Sequence, residues 1–282
     1  MSVDFMTIPT LGSTPLKSEM RNPKPLALVL SGGGMFGAYQ AGAWKTLSRE
    51  IWPDIVVGAS VGALNGWYIA GGAPSEDLER RWLDPASGDL MTYSASRAPW
   101  RGIFDPRPLE ATAKFLVSHY KLRLEYGVAL VELPGLRRKL VRNGDVTWRH
   151  LVASCAVPAG FAPVRIGGRI YCDGGLLEAT PVWAALAMGA TRVIVVSAAR
   201  FIAPAGLRPL IKAVRVIGGR IGNASAQTGG DAAIVTITPK DPLGKMLDGA
   251  RWREERIRRW IELGESDAEA ALESIRLLRD CG

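Results

Sequence analysis

The 282-residue sequence has little of several residue types on which other protein classes depend. Its three cysteines, Cys155, Cys172 and Cys281, are too few for a disulfide framework and fit a reducing compartment. No Cys/His cluster has the spacing of zinc ligands, so we expect no metal site. The longest apolar window, 181–199, is broken by Arg192 and predicts a buried helix and strand rather than a membrane span.

The N-terminal residues also lack the basic and apolar regions of a Sec signal peptide. We expect residues 1–24 to form a loosely ordered tail and the protein to be cytoplasmic. Lys and Arg number 35 against 27 Asp and Glu, a net charge of +8. Such a balance suits nucleic acid, anionic lipid headgroups or acidic substrates, or simply keeps the protein in solution. With nine tryptophans, we expect peripheral membrane contact and no nucleic-acid partner; the oligomeric state stays open.

Short apolar runs that alternate with turns and helical segments predict an α/β fold with a mainly parallel sheet. We assign residues 25–240 to one domain. Within it, residues 85–125 predict an insertion near the active face, a candidate lid or lipid-contact region. Trp100, Ile103 and Phe104 are its candidate lipid contacts, and packing in the core is the alternative for each. Residues 241–282 carry apolar residues at helical spacing and predict a C-terminal helix packed on the core; a membrane-surface helix is the alternative.

Three consecutive glycines follow the first predicted strand, in "LALVLSGGGMFGAYQAG". Gly32, Gly34 and Gly37 satisfy the G-x-G-x-x-G pattern of dinucleotide-binding proteins. That function needs a carboxylate at the end of the second strand, and Asp54 lies at its beginning instead. The alternative is an oxyanion hole, in which the backbone N–H groups of the loop face a reaction centre.

A candidate nucleophile follows the second predicted strand, in the pentapeptide "GASVG". This is the G-x-S-x-G pattern of a nucleophile elbow, in which Gly58 and Gly62 permit a tight turn that exposes Ser60. The N–H of Val61 would then lie near the oxyanion. An ordinary strand-to-helix turn, capped by Ser60, is the alternative.

A serine nucleophile needs a base, and the usual Ser–acid–His order is excluded because no histidine follows residue 150. We expect structural roles for His119 and His150. A Ser–carboxylate dyad remains, with Asp173 of "YCDGGLLEATP" as its candidate base. An Asp-Gly turn is the alternative interpretation of that stretch.

Four blocks together resemble the patatin-like phospholipases: "LVLSGGGMFGAYQAG", "VVGASVGALNG", "ASCAVPAGFAPV" and "DGGLLEATPV". The resemblance implies Ser60 as nucleophile, Asp173 as general base and an oxyanion hole formed by Gly32, Gly33 and Gly34. It implies a three-layer α/β/α sandwich, no cofactor and no metal, and hydrolysis of lipid acyl esters such as phospholipids or lysophospholipids through an acyl-enzyme.

Two positions depart from the pattern of that family. Phe36 stands where the family usually has Arg or Lys, which we expect to remove a positive charge near the oxyanion or a headgroup. Ala179 stands where Asn is frequent, which we expect to remove a supporting hydrogen bond. Because of these departures, the alternative function is a catalytically impaired protein that binds lipid or a partner without turnover.

Overall fold

The structure, a computed structural model, describes residues 24–94, 102–200, 202 and 232–280. The strands are β1 (Leu26–Leu30), β2 (Ile55–Gly58), β3 (Glu125–Leu133), β4 (Arg137–Arg142), β5 (Val164–Ile166), β6 (Arg169–Asp173), β7 (Arg192–Val196) and β8 (Ala233–Ile237). The helices are α1 (Gly37–Leu47), α2 (Val61–Ala70), α3 (Ser75–Leu83), α4 (Pro106–His119), α5 (Trp148–Ser154), α6 (Val182–Ala187) and α7 (Glu254–Asp280).

The eight described strands form one mixed sheet in the order β5-β6-β3-β2-β1-β7-β8, with β4 paired to β3 outside this path. The five strands from β3 to β8 along that order pair in parallel. The β3–β4, β3–β6 and β5–β6 pairs are antiparallel. Candidate ligand-binding positions are therefore the carboxyl ends of β1, β2 and β7, where ligands bind in open parallel sheets.

Side chains of the central strands alternate between two apolar layers, as the period of a strand requires. Leu28 of β1 and Val56 of β2 face the larger cluster, which also contains residues of α1, α2, α4, α5 and α7. Val29 and Val57 face the smaller cluster, which is closed by α6. The predicted three-layer α/β/α sandwich with a mainly parallel sheet is therefore confirmed.

The long helix α7 lies against α1 at unusually short range. A Cβ added at Gly42 would overlap the carbonyl oxygen of Ile261, and one added at Gly264 would overlap that of Tyr39. The Tyr39 hydroxyl donates to Asp267 Oδ2 at 2.9 Å, and Lys45 pairs with Glu265 at 3.0 Å. The two helices therefore meet backbone to backbone, and polar contacts fix their register.

The segment predicted to be a lid, residues 85–125, contains a 3₁₀ turn at Pro85–Met91 and then α4. Ile103 is 53% exposed, as a lipid contact would require. Phe104 is buried and packs against Tyr93 and Phe161, so it is a core residue. Trp100 lies outside the described residues, as do residues 1–23 of the predicted tail.

Candidate active site

Strand β3 places the ends of two other strands next to each other. Its first half pairs with β2, with Val128 opposite Gly58. Its second half pairs with β6, with Leu130 opposite Asp173. Because β4 covers β3 from Gly127 to Glu132, β2 and β6 must share the other edge. They run towards each other along it, so Ser60, just after β2, meets Asp173 at the end of β6.

Ser60 occupies a sharp turn between β2 and α2. Its backbone has φ 54° and ψ −131°, a combination that L-residues rarely adopt and that is frequent at functional sites. A Cβ at Gly58 would overlap the carbonyl of Gly62, and a Cβ at Gly62 would overlap that of Leu30. Both glycines of the pentapeptide are therefore needed for backbone segments to pass at this distance.

Ser154, at the end of α5, ties this turn to β3. Its hydroxyl donates to the Ala129 carbonyl at 2.9 Å and accepts from the Ser60 N–H at 2.9 Å. The side chain is fully buried. The sequence pattern assigns no role to this residue, although it lies in one of the four quoted blocks. A buried serine within an apolar segment was the available signal.

The Asp173 carboxylate is buried and incompletely paired. Oδ1 accepts from the Gly175 N–H at 2.6 Å, whereas Oδ2 has no hydrogen-bond partner among the described residues. Burial raises the pKa of Asp173 from 3.8 to about 7, although the nearby Ser60 hydroxyl and the Gly175 N–H act to lower it. The hydroxyl of Ser60 is thus close to the carboxylate without completing a bond to Oδ2.

The two neighbouring thiols are protonated and the two histidines make contacts elsewhere, so none of them replaces Ser60 or Asp173 in this pair. Burial raises the pKa of Cys155 well above its usual value and that of Cys172 to about 12, so both stay protonated near neutral pH. His119 stacks on Phe115 at the exposed end of α4. His150 Nδ1 accepts from the Thr147 N–H at the start of α5.

The glycine loop after β1 lies directly beside Ser60. A Cβ at Gly32 would be 3.2 Å from the Ser60 Cβ. The Gly32 N–H donates to the Ala179 carbonyl at 2.8 Å, so the prediction of Gly32 as an oxyanion donor is not supported. Within the described chain, the N–H groups of Gly33, Gly34 and Val61 have no acceptor. These three groups are available to a ligand.

A narrow cleft opens over Ser60. Its other lining residues are apolar or small: Gly34, Met35, Val61, Leu64, Trp82, Leu90, Met91, Leu109, Cys155, Val157 and Phe161. It encloses about 60 Å³, whereas one water needs roughly 10–15 Å³. The cleft therefore has room for a few waters or part of a slender apolar chain. Within the described residues, no group of His, Cys, Asp and Glu could hold a metal ion.

Comparison with known proteins gives this arrangement its context. The family model of patatin-like phospholipases matches residues 28–186, more than half of the chain. The chain belongs to the patatin-like phospholipase family. The matched residues include the glycine loop, Ser60, Ser154 and Asp173.

Curated relatives are distant and much longer. Patatin-like phospholipase domain-containing protein 7 of Mus musculus is 24% identical over 189 residues, which cover 64% of this chain and 14% of that protein. Triacylglycerol lipase ptl3 of Schizosaccharomyces pombe is 27% identical over 161 residues, covering 48% and 33%. The solved structure of VipD from Legionella pneumophila has a TM-score of 0.50 at 15% identity, covering 89% of this chain and 67% of that one. This last likeness concerns the fold alone.

The two departures from the patatin pattern have different structural consequences than we expected. Phe36 does not line the cleft, is 1% exposed and packs edge-to-face on Trp260 of α7, with ring centroids 4.8 Å apart. Residue 36 thus anchors the glycine loop to the C-terminal helix. Ala179 acts through its backbone, because its carbonyl accepts from Gly32. Both positions support the glycine loop from outside the cleft.

A buried polar network supports the same loop in this patatin-like chain. Gln40 Nε2 donates to the Ser31 carbonyl at 2.7 Å, and Asn65 Nδ2 donates to Gln40 Oε1 at 2.9 Å. Trp82 Nε1 donates to Asn65 Oδ1 at 3.1 Å. Each of these side chains is at most 4% exposed. Together they connect the start of the glycine loop, through α1 and α2, to the Trp82 wall of the cleft.

A Ser154→Ala variant should lose about 1–2 kcal/mol of stability, because the Ser60 N–H and the Ala129 carbonyl each lose a buried partner. Because one of these groups belongs to the nucleophile turn, we expect kcat to fall on the order of tenfold with little change in KM. Thermal unfolding and steady-state hydrolysis of a soluble ester measure both effects.

The matched control is Thr46→Val, which removes another buried hydroxyl, one that donates to the Glu265 carbonyl on α7. It should lose a similar amount of stability and keep its kcat. Equal losses of kcat in the two variants would show that Ser154 acts only through general stability.

Proposed function

We propose that this chain is a lipid acyl hydrolase of the phospholipase A or lysophospholipase type, in which Ser60 is the nucleophile and Asp173 the general base. One observation carries the proposal. A serine in a strained turn lines an apolar cleft and lies beside a buried carboxylate whose Oδ2 has no hydrogen-bond partner among the described residues. A carboxylate with a pKa of about 7 is suited to accept a proton near neutral pH.

In the first half-reaction, Ser60 Oγ attacks the ester carbonyl carbon while its proton passes to Asp173 Oδ2. Collapse of the tetrahedral intermediate breaks the bond to the alcohol, which leaves with that proton. The product is an acyl-enzyme on Ser60. A water then attacks the acyl carbonyl, gives its proton to Asp173 and releases the fatty acid, and the proton returns to Ser60 Oγ. Ser60 and Asp173 thus end each cycle in their initial states.

The oxyanion that develops in each half-reaction needs donors that are already in place. We assign this role to the N–H groups of Gly33, Gly34 and Val61, which have no acceptor within the described chain. Val61 begins α2, so the positive end of that helix adds to the stabilisation. One such donor typically contributes a factor on the order of 10²–10³ to the rate.

The substrate class follows from the family and from the cleft. An apolar lining around Ser60 suits an acyl chain, and we propose lipid esters as substrates. Among the described residues, no helix has the length and apolar character that a membrane span requires. The chain spans 14% and 33% of the two curated relatives described above, so their full activities are not transferred to it.

Labelling with a fluorophosphonate and mass mapping tests the nucleophile. We expect a single adduct on Ser60 and no hydrolysis by Ser60→Ala, since Cys155, the other nucleophilic side chain among the described lining residues, has its pKa raised well above the usual value by burial. A His119→Ala/His150→Ala double variant is the control and should keep substantial activity. Labelling at another residue, or turnover by Ser60→Ala, would overturn the assignment.

The alternative is a family member that binds lipid or a partner without turnover. Steady release of fatty acid from a short-chain ester by the wild-type protein, lost in Ser60→Ala, would reject it. Binding of the same ester without release of fatty acid would favour it.

A further inference from the structure

Large apolar side chains are exposed on both sides of the mouth of the cleft. Tyr93 is 59%, Ile103 53%, Val157 47% and Leu247 59% exposed. Val157 itself lines the cleft beside Ser60. We call these four residues the rim. Exposed apolar residues that surround one opening differ from singly scattered ones, because such a group marks an interaction surface.

On one side, backbone hydrogen bonds join three segments of the rim. The Ser94 N–H donates to the Ile103 carbonyl at 2.8 Å, and the Ile103 N–H donates to the Ala159 carbonyl at 3.1 Å. Tyr93 follows Met91, which lines the cleft, by two residues. Tyr93, Ile103 and Val157 are therefore held in one patch, and their exposure is a property of a connected structure.

The other side is formed by the 3₁₀ turn Met246–Ala250. Its Gly249 packs on the glycine loop so closely that a Cβ at Gly34 would overlap the Gly249 carbonyl. Leu247 lies two residues before this contact and is exposed. The rim thus continues from the Val157 side of the cleft to the oxyanion side.

Basic side chains lie close in sequence to Leu247, on this side of the rim. Residues 240–260 contain seven Lys or Arg and four Asp or Glu. Two of those acids are already paired, Asp248 with Arg256 and Glu254 with Arg258. The exposed cations Lys245, Arg251 and Arg253 lie within six residues of Leu247. The local excess of positive charge complements an anionic surface.

We propose that the rim docks this protein onto an anionic phospholipid bilayer, with Tyr93, Ile103 and Leu247 entering the interface and Lys245, Arg251 and Arg253 meeting the headgroups. Exposed apolar groups beside cations are the pattern that binds such an interface. A second copy of the chain would bring two basic segments together, which like charges oppose. The value of this docking for catalysis rests on the proposed function; the docking itself does not.

Co-sedimentation with vesicles tests the docking in the Ser60→Ala background, where hydrolysis cannot change the lipid. Vesicles of phosphatidylcholine mixed with phosphatidylglycerol should bind at least about tenfold more tightly than phosphatidylcholine alone, and less so at high salt. A Tyr93→Ser/Ile103→Ser/Leu247→Ser variant should weaken binding to the mixed vesicles by at least about tenfold. An Arg251→Glu/Arg253→Glu variant should remove the preference for phosphatidylglycerol.

The matched control is Leu277→Ser, which removes an apolar residue that is 61% exposed on α7. It lies near Arg276, whose partner Glu50 precedes β2, at the other end of the sheet. This variant should bind vesicles like the parent. Unchanged binding by a folded triple variant, or equal binding to both vesicle types, would overturn the proposal. If the triple variant does not fold, the charge-reversed variant and Leu247→Ser alone decide in the same way.

Two further outcomes distinguish membrane docking from dimerisation and from the proposed function. If the triple variant changes the protein from dimer to monomer and leaves vesicle binding intact, the rim joins copies of the chain and the proposal is wrong. If the wild type binds mixed vesicles through the rim and hydrolyses no soluble ester, docking stands and the proposed function fails.

Discussion

An Asp173→Asn variant is expected to hydrolyse esters on the order of 10³-fold more slowly than the wild type, and to be more stable than the wild type at pH 8. Asparagine has the same shape and can still accept from the Gly175 N–H, so the turn is preserved. It has no charge and cannot take the Ser60 proton. The same substitution therefore removes the base and the buried charge.

The sign of the stability effect follows from the pKa. Burial raises the pKa of Asp173 from 3.8 to about 7, so the folded state holds this proton more tightly than the unfolded state does. Between about pH 4 and pH 7, wild-type stability falls as pH rises, because folding must then bury a carboxylate. The upper limit of this loss is about 4 kcal/mol, since one pH unit corresponds to about 1.4 kcal/mol. The variant has no such loss.

Thermal unfolding at a series of pH values measures the difference. Asp173→Asn and wild type should have similar Tm near pH 4, and the variant should be higher by roughly 5–10 °C at pH 8. A constant offset at all pH values would contradict a raised pKa. Glu178→Gln is the control: it neutralises a nearby carboxylate that pairs with Arg138 at 2.8 Å and does not line the cleft. It should keep its activity.

The pH dependence of kcat/KM in the wild type depends on the ionisation of the same Asp173 carboxyl. Because Asp173 must be deprotonated to act as base, kcat/KM should rise about tenfold per pH unit up to about pH 7 and then level off. A retained tenth of the activity in Asp173→Asn, or a limb centred near pH 4, would exclude Asp173 as the base.

Much of the fold could be predicted because buried parallel strands leave continuous apolar runs in the sequence. The apolar run "LALVL" before the three glycines forms β1, and the segment from Val61 to the Gly71-Gly72 pair forms α2. The turn between β5 and β6 is the Gly167-Gly168 pair, which is typical of a hairpin, and both glycines have positive φ. These features depend on a few adjacent residues, and local sequence determines them.

The meeting of Ser60 with Asp173 depends on something that no local pattern contains. It requires β3 to pair with β2 in one direction and with β6 in the other. The lack of a late histidine made Asp173 the candidate base and the resemblance to a known family implied the pair, whereas the local stretch alone left an Asp-Gly turn as the alternative. The register along β3 is a tertiary property, and it explains why residues 113 positions apart are neighbours.

The interior contacts of the glycine loop were missed for a related reason. Gln40 and Asn65 lie in helices that are buried on all sides, and a polar residue there indicates a hydrogen bond without naming its partner. Phe36 was interpreted through the cation that it replaces, so its effect was assigned to the cleft. Its contact with Trp260 spans 224 positions of sequence and needed the packing of α7.

A Gly264→Ala variant is expected to lose more than about 3 kcal/mol of stability, an effect opposite in sign to the usual one for this change. In a helix interior, alanine is normally better than glycine by roughly 1 kcal/mol. Here the new Cβ would overlap the Tyr39 carbonyl and lie 2.9 Å from the Ala43 nitrogen. Both atoms belong to the backbone of α1 and cannot rotate away, so α7 must move.

Movement of α7 should reach the reaction centre. Trp260 lies one helical turn before Gly264 and packs on Phe36, the N-cap residue of α1. We therefore expect kcat to fall several-fold even well below the Tm of the variant, with a smaller change in KM. The measurement is soluble-ester hydrolysis at a temperature where circular dichroism shows the variant to be folded.

Ser266→Ala is the matched control, since it changes an exposed position of the same helix to the best helix former. It should be as stable as the wild type or slightly more so, with unchanged kcat. If Gly264→Ala behaves like this control, α1 and α7 can separate without consequence, and the C-terminal helix does not support the glycine loop. If stability falls and kcat stays constant, α7 stabilises the fold without positioning the loop. If stability and kcat both fall, Gly264 supports, through the packing of α7 on α1 and Phe36, the N–H donors that bind the oxyanion.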